Sequence, residues 1–140
     1  MVFPPPKANV VGALIWDRKK EKFLICQRPQ DKARAMLWEF VGGKVEAGES
    51  REEALIRECR EELGIELSVK KLYCEVDHEY PDIAIHLSVF AAEIADGTPR
   101  LLEHAAMEWI LPTQIDDYSF CPADKPVIEK LKHEYGKYVR

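Results

Sequence analysis

The sequence predicts a sheet packed between helices, of the α/β or α+β class. Three observations carry this. Strand-like runs occupy both halves of the chain, a sharply delimited helix separates them, and a second amphipathic helix follows near the C-terminus. At 140 residues and 16.1 kDa, the chain reads as one domain, 1–140, long enough to bury a proper core. It shows no internal repeat, linker or low-complexity block.

The elements follow in order. Met1 to Lys7 contains three prolines, a stiff lead-in without the layout of a signal peptide. Asn9 to Trp16 and Lys22 to Gln27 read as two strands around the charged turn Asp17 to Glu21, which predicts a hairpin. Pro29 to Leu37 is a polar, irregular loop that leads into Trp38-Glu39-Phe40-Val41. Gly42-Gly43 then reads as a glycine loop, permitting unusual backbone angles or a close approach to a ligand. Ser50-Arg51-Glu52-Glu53 is a capping-box signature; it starts a helix that runs to about Leu63 and stops at Gly64. Leu67 to Tyr80 and Ile83 to Ile94 are strand-like, with a turn at Pro81-Asp82. Asp96 to Pro99 is a loop and Glu108 to Leu111 a short strand. Asp124-Lys125-Pro126 opens the last helix, through about Tyr135, with Val127, Ile128 and Leu131 as its apolar stripe.

Composition excludes several functions. A net charge of −5 argues against broad electrostatic attachment to nucleic-acid polymers or anionic membranes. The apolar runs are too short to span a bilayer. Cys26, Cys59, Cys74 and Cys121 form no Cys-x-x-Cys pair, so free thiols in a reducing cytoplasm are expected rather than disulfides or zinc. His78, His86, His104 and His133 show no metal-ligand spacing and read as strand or surface residues.

The central helix carries the chemistry. At about 100° per residue, Glu58, Glu61 and Glu62 fall on one sector, with Ala54 between them. Leu55, Cys59 and Leu63 line another and face a core. Like charges at spacings of three and four repel by a few tenths of a kcal/mol per pair. A hard divalent cation turns that repulsion into a site, because Mg²⁺ takes oxygen ligands and bridges carboxylates to phosphates. The plain alternative is a surface helix whose glutamates pair with Arg51, Arg57 and Arg60.

From Gly43 the chain reads G-x5-E-x7-R-E-U-x-E-E-x-G-U, U being a bulky apolar residue, with Cys59 and Ile65 in the apolar slots. This resembles the Nudix box at every fixed position, Cys59 being a small hydrophobe in its slot. Trp38 to Glu46, Tyr80-Pro81-Asp82, Glu103 with Glu108-Trp109, and Cys121 to Ile128 resemble the MutT-like branch, which has proline where this chain has Val41. The resemblance covers most of the chain. It implies an α/β fold, the Nudix α/β/α sandwich, and hydrolysis of nucleoside triphosphates to the monophosphate and pyrophosphate, as in nucleotide-pool sanitation.

The resemblance also implies roles. Glu58, Glu61 and Glu62 ligate Mg²⁺ or Mn²⁺ with the Gly42 carbonyl, and Glu103 serves as a further ligand or as the general base, a role for which Glu58 competes. Arg57 orients Glu49 or a ligating glutamate. Arg28 contacts phosphate or nucleotide, Gly43 lets the substrate approach, and Lys44 neutralises a phosphate oxygen unless it is a surface lysine. Phe40 and Tyr80 flank the base by stacking, unless they are core.

Asp124 stands where 8-oxoguanine-selective relatives carry an asparagine, and Ile83 where the guanine-specific type can carry an arginine. An ionised aspartate only accepts hydrogen bonds, which suits an exocyclic amine such as N4 of cytosine or N6 of adenine. A MutT-like subgroup acting on CTP and 5-substituted dCTP resembles this chain at Pro122-Ala123-Asp124, which implies a cytosine-type substrate with 8-oxo-dGTP as the alternative. Asp124 can also simply cap the last helix. The expected partner is a small nucleotide, and the protein a monomer or homodimer. Two other functions remain open: a Nudix hydrolase of ADP-ribose or a dinucleoside polyphosphate, and a non-catalytic Nudix-fold binding module.

Overall fold

The computed structural model describes residues 7–135, so most of the proline-rich lead-in lies outside the described residues. Seven strands and two α-helices follow in the order β1 (Lys7–Ile15), β2 (Phe23–Gln27), β3 (Trp38–Glu39), β4 (Val41–Lys44), α1 (Arg51–Leu63), β5 (Glu66–Glu79), β6 (Ala84–Asp96), β7 (Ala106–Ile110) and α2 (Lys125–Tyr135). One sheet has the order β4-β1-β6-β5 and the other β3-β2-β7. The pair β1–β6 is parallel and every other ladder antiparallel.

The predicted hairpin does not form. Trp16 and Phe23 make one isolated bridge, and Asp17 N donates to Lys22 O, but beyond them β1 and β2 part into different sheets. The reason is that β1 has both edges in use. Ala13 pairs with Val41 on one side and with Phe90 on the other, leaving no ladder for β2.

Alternation along β1 and β2 places the two sheets between the helices. Val11, Ala13 and Ile15 of β1, with Leu24 and Cys26 of β2, pack with Ala54, Leu55, Cys59 and Leu63 of α1. Leu14, Phe23 and Ile25 point the other way, into a cluster with Phe120, Val127, Ile128 and Leu131. The result is an α/β/α sandwich with a core on each face.

Helix α1 is bounded as its sequence requires. Ser50 accepts from Glu53 N while the Glu53 side chain accepts from Ser50 N, a closed capping box. Gly64 ends the helix at φ 67°, where its N–H reaches the Arg60 and Cys59 carbonyls. Gly42 and Gly43 lie in strand β4 rather than in a loop, and they serve close approach rather than unusual angles. A Cβ at Gly42 would stand 1.8 Å from Val11 O, so no side chain fits against β1. Asp96 still belongs to β6, and β7 begins at Ala106, earlier than the expected Glu108. A 3₁₀ turn at Pro112–Asp117 had no sequence expectation; another, Pro122–Asp124, leads into α2. No helix among the described residues is long and apolar enough to cross a membrane.

Leu55 is fully buried under α1, whereas Ser50 acts only at the helix end. Urea unfolding should therefore separate them: Leu55→Ala is expected to cost about 2–5 kcal/mol and Ser50→Ala about 1 kcal/mol. Equal costs would contradict this division.

Candidate active site

The site is built where α1 crosses β4. The antiparallel β1–β4 ladder sets Gly43 opposite Val11 and directly beneath Glu58. A Cβ on Gly43 would meet Glu58 Cδ at 2.5 Å, so the bare strand is what admits the carboxylate. Glu58 and Glu62, one turn apart, lean over this strand, while Glu61 turns outward with a half-exposed side chain.

Arg57 holds the glutamates in place. Its Nε and Nη2 donate to the two Glu49 oxygens at 2.8 and 2.9 Å, a bidentate pair. Its Nη1 reaches Glu58 Oε1 at 2.9 Å and Glu61 Oε2 at 3.4 Å, and Nη2 also donates to Lys44 O at 3.1 Å. One guanidinium thus joins α1, the loop before it and the end of β4. Its bonds pull Glu49 down to a pKa of about 2, with the Glu46 N–H contributing.

Glu62 is in the opposite condition. Burial, with the charges of Glu58, Glu39 and Glu103, pushes its carboxyl up to about 8 against the pull of the Gly42 N–H. Its Oε2 is buried with no hydrogen-bond partner among the described residues. Glu58 is also raised, by burial first, although Arg57 opposes the shift.

As the side chains stand, no three carboxylate, imidazole or thiol groups among the described residues converge closely enough to hold one ion. Glu58 and Glu61 are taken up by Arg57, and Glu103 is an exposed loop residue. The chemistry nevertheless fits a hard cation. An orphaned carboxylate oxygen on Glu62, a second raised carboxyl on Glu58 and a glycine strand open to both are oxygen donors short of positive charge.

A cleft of about 240 Å³ opens beside these carboxylates. Arg28, Phe40, Gly42, Gly43, Lys44, Tyr80 and Asp124 all line it, together with Glu62. The structure therefore brings the seven candidate nucleotide-contact residues into one wall. Larger grooves of about 550 and 750 Å³ lie elsewhere, around Trp16, and hold none of the site candidates. Glu103 lines a separate small recess with Glu62, Glu39, His104 and Arg28.

Several expectations change in detail. Phe40 is 5% exposed and lies between Phe23 and Phe120, so most of its ring is core. One face of Tyr80 is covered by the Arg34 guanidinium at 4.0 Å, and its hydroxyl accepts from Ala123 N. Phe40 is therefore largely core, while one face of Tyr80 is taken by Arg34. The Asp124 carboxyl, in the 3₁₀ turn before α2, is buried, and burial together with Glu39 raises it well above the usual range against the pull of Arg28. The ionised, acceptor-only Asp124 expected from sequence is therefore disfavoured. The neutral acid has one donor and one acceptor.

Sequence reasoning missed three residues. Glu39 is a short-strand residue whose Oε1 pairs with Arg28 Nη1 at 2.9 Å. His104 is not on the surface: its side chain is 3% exposed and its Nε2 lies 3.1 Å from Glu39 Oε2. Arg34, which lines the cleft, pairs with Asp82 at 3.0 Å. Only tertiary contacts single these out, although Glu39 lay within the stretch matched to the MutT-like branch.

The raised carboxyls imply a pH dependence of stability in chelator. Burial raises the folded-state pKa of Glu62 from 4.5 to about 8, so the Glu62 contribution to stability is fully present below 4.5 and is lost as pH rises through about 8. Glu58 and Asp124 shift in the same direction and add to the slope. Denaturant titrations across this range should show the fall, and Glu62→Gln should flatten it; a slope unaltered by that variant would refute the assignment.

Residues 11–130 match the NUDIX domain family. The chain is 42% identical over 121 residues to the CTP pyrophosphohydrolase of Escherichia coli K12, covering 86% of this chain and 88% of that protein. It is 36% identical over 126 residues to the 8-oxo-dGTP diphosphatase of the same organism, covering 90% and 97%. The crystal structure of the MutT protein from Methanosarcina mazei Go1 superimposes with a TM-score of 0.83 at 26% identity, covering 95% of this chain and 98% of that one. Family members generally need a divalent metal. With the box on α1, the glycine strand beneath it and these similarities in agreement, the chain belongs to the Nudix family.

Proposed function

We infer that this protein is a Nudix hydrolase that cleaves nucleoside triphosphates to the nucleoside monophosphate and pyrophosphate. The observation that carries this reading is one continuous surface: the cleft lined by Arg28, Lys44 and Asp124 opens onto the carboxylates of α1 through Glu62. A relative 42% identical that acts on CTP and another 36% identical that acts on 8-oxo-dGTP support the same substrate class.

Hydrolysis of a phosphoanhydride requires charge neutralisation on the phosphates and a water held in line. Glu58, Glu61, Glu62 and the Gly42 carbonyl would hold Mg²⁺ or Mn²⁺, with Glu103 as either a further ligand or the base. The ion would neutralise phosphate charge and activate water. Arg57 fixes the direction of Glu58 through its 2.9 Å bond. Arg28 and Lys44 supply positive charge along the cleft. Of the two candidate bases, Glu103 has no ion pair among the described residues, whereas Glu58 is bound by Arg57; Glu103 is the freer to accept a proton from water.

Asp124 reads the base. A buried carboxyl with a raised pKa can accept from an exocyclic amine as the anion or donate to a carbonyl as the acid. That suits both a cytosine-type substrate and 8-oxo-dGTP.

The central test is product analysis. Turnover with Mg²⁺ should stop in excess chelator, and ¹⁸O-labelled water should put its label into pyrophosphate, reporting attack at the β-phosphorus. Label in the monophosphate would move the attack to the α-phosphorus, and release of inorganic phosphate with a nucleoside diphosphate, or full turnover in excess chelator, would overturn the reading.

A second test addresses Asp124. For the wild type, the ratio of kcat/KM for CTP over that for 8-oxo-dGTP should rise with pH as the acid becomes the anion. Asp124→Asn cannot ionise and should flatten the profile, with a change in ratio of roughly tenfold to a hundredfold at high pH. Parallel profiles would assign base choice elsewhere.

A further inference from the structure

We propose that His104 is a positioning residue for nucleotide binding, acting through Glu39 on Arg28. The inference rests on the hydrolase reading above and deepens it. The segment between β6 and β7 lies almost wholly at the surface, yet it buries His104 at 8% exposure while Leu101 and Leu102 stand at 48% and 47%. Hydrophobicity alone would bury a leucine here and leave the imidazole in water.

What the imidazole offers and a leucine lacks is an N–H. Its Nε2 lies 3.1 Å from Glu39 Oε2, and the other Glu39 oxygen accepts from Arg28 Nη1 at 2.9 Å. A carboxylate can only accept, so the proton belongs on Nε2 in the neutral ring and Nδ1 is left bare. That Nδ1 is buried and has no hydrogen-bond partner among the described residues. Burying such a nitrogen is costly, so the Glu39 contact must offset it.

The guanidinium is held at two points, and the second of them is itself backed by His104. Glu39 sits on β3, in register with Cys26 of β2, two residues before Arg28. Arg28 Nε donates to Ala33 O at 2.7 Å, while Nη1 is held by Glu39, whose second oxygen is held in turn by His104. Arg28 and Glu39 both line the nucleotide cleft. Without the His104 bond, Glu39 is free to turn and Arg28 loses its fixed direction.

The Glu103 segment does not depend on the same bond. Leu102 N donates to Glu62 O at 3.3 Å and Ala105 N to Gln27 O at 2.9 Å, pinning the backbone on either side. Loss of the imidazole bond is therefore expected to weaken substrate binding more than turnover.

The test is a double-mutant cycle between position 104 and Arg28, read in KM, in kcat, and in the Kd for CTP measured in chelator. His104→Phe should raise KM and Kd by about tenfold with kcat changed by less than about threefold. His104→Gln, whose amide can donate to Glu39, should recover most of the loss. In an Arg28→Ala background, His104→Phe should add less than about twofold. Melting curves identify any variant that fails to fold, and Glu39→Gln then tests the same link.

Additive losses, or a fall in kcat at unchanged KM and Kd, would overturn the relay. A wild type that hydrolyses no triphosphate would instead overturn the hydrolase reading. The relay would then be judged on the Kd cycle alone, where additivity or an absence of binding rejects it and non-additivity upholds it.

Discussion

Carboxylates crowded against a bare glycine strand are the constraint on which the site depends. Glu58 occupies the space that any side chain at Gly43 would need, and Gly42 must lie against Val11 O with no Cβ at all. The β1–β4 ladder and the helix above it therefore fix each other's position. Arg57 makes this arrangement tolerable by spanning Glu49, Glu58 and the Lys44 carbonyl. Glu62 lies beyond its reach and carries the remaining electrostatic cost as a raised pKa and an orphaned oxygen. The fold thus holds unfavourable negative charge in the place where a polyphosphate with a divalent cation would relieve it.

A second acidic centre organises the nucleotide side. Burial, to which the Glu39 charge adds, raises the carboxyls of both Glu62 and Asp124, while the two Glu39 oxygens are satisfied by Arg28 and His104. Its place in a two-residue strand next to β2 lets it line the cleft together with Glu62 and Asp124. Two acidic centres set the ionisation across the cleft, one stabilised by Arg57 and the other by Arg28.

Packing serves this arrangement without taking part in the chemistry. Strand β1 carries a core on each face and a ladder on each edge, so it is the rigid element from which β4, and hence the glycine strand, is hung. The β5–β6 turn brings Tyr80 to the cleft, where Arg34 joins it and the neighbouring Asp82 to the loop after β2.

The sequence by itself determined α1, because a capping box, a helical carboxylate sector and a left-handed glycine stop are all local. The same locality made the long strands and the family legible. Pairing was not local: β1 and β2 look like a hairpin until β4 and β6 claim both edges of β1. Nor was the status of individual site residues. Glu39 and His104 acquire their roles from a contact 65 positions apart, and Asp124 acquires its raised pKa from burial that no neighbouring residue announces. Spacing along a chain specifies which groups share a helix face. Tertiary structure alone decides which of them are desolvated and which charges they meet, and those two quantities set the ionisation of the site.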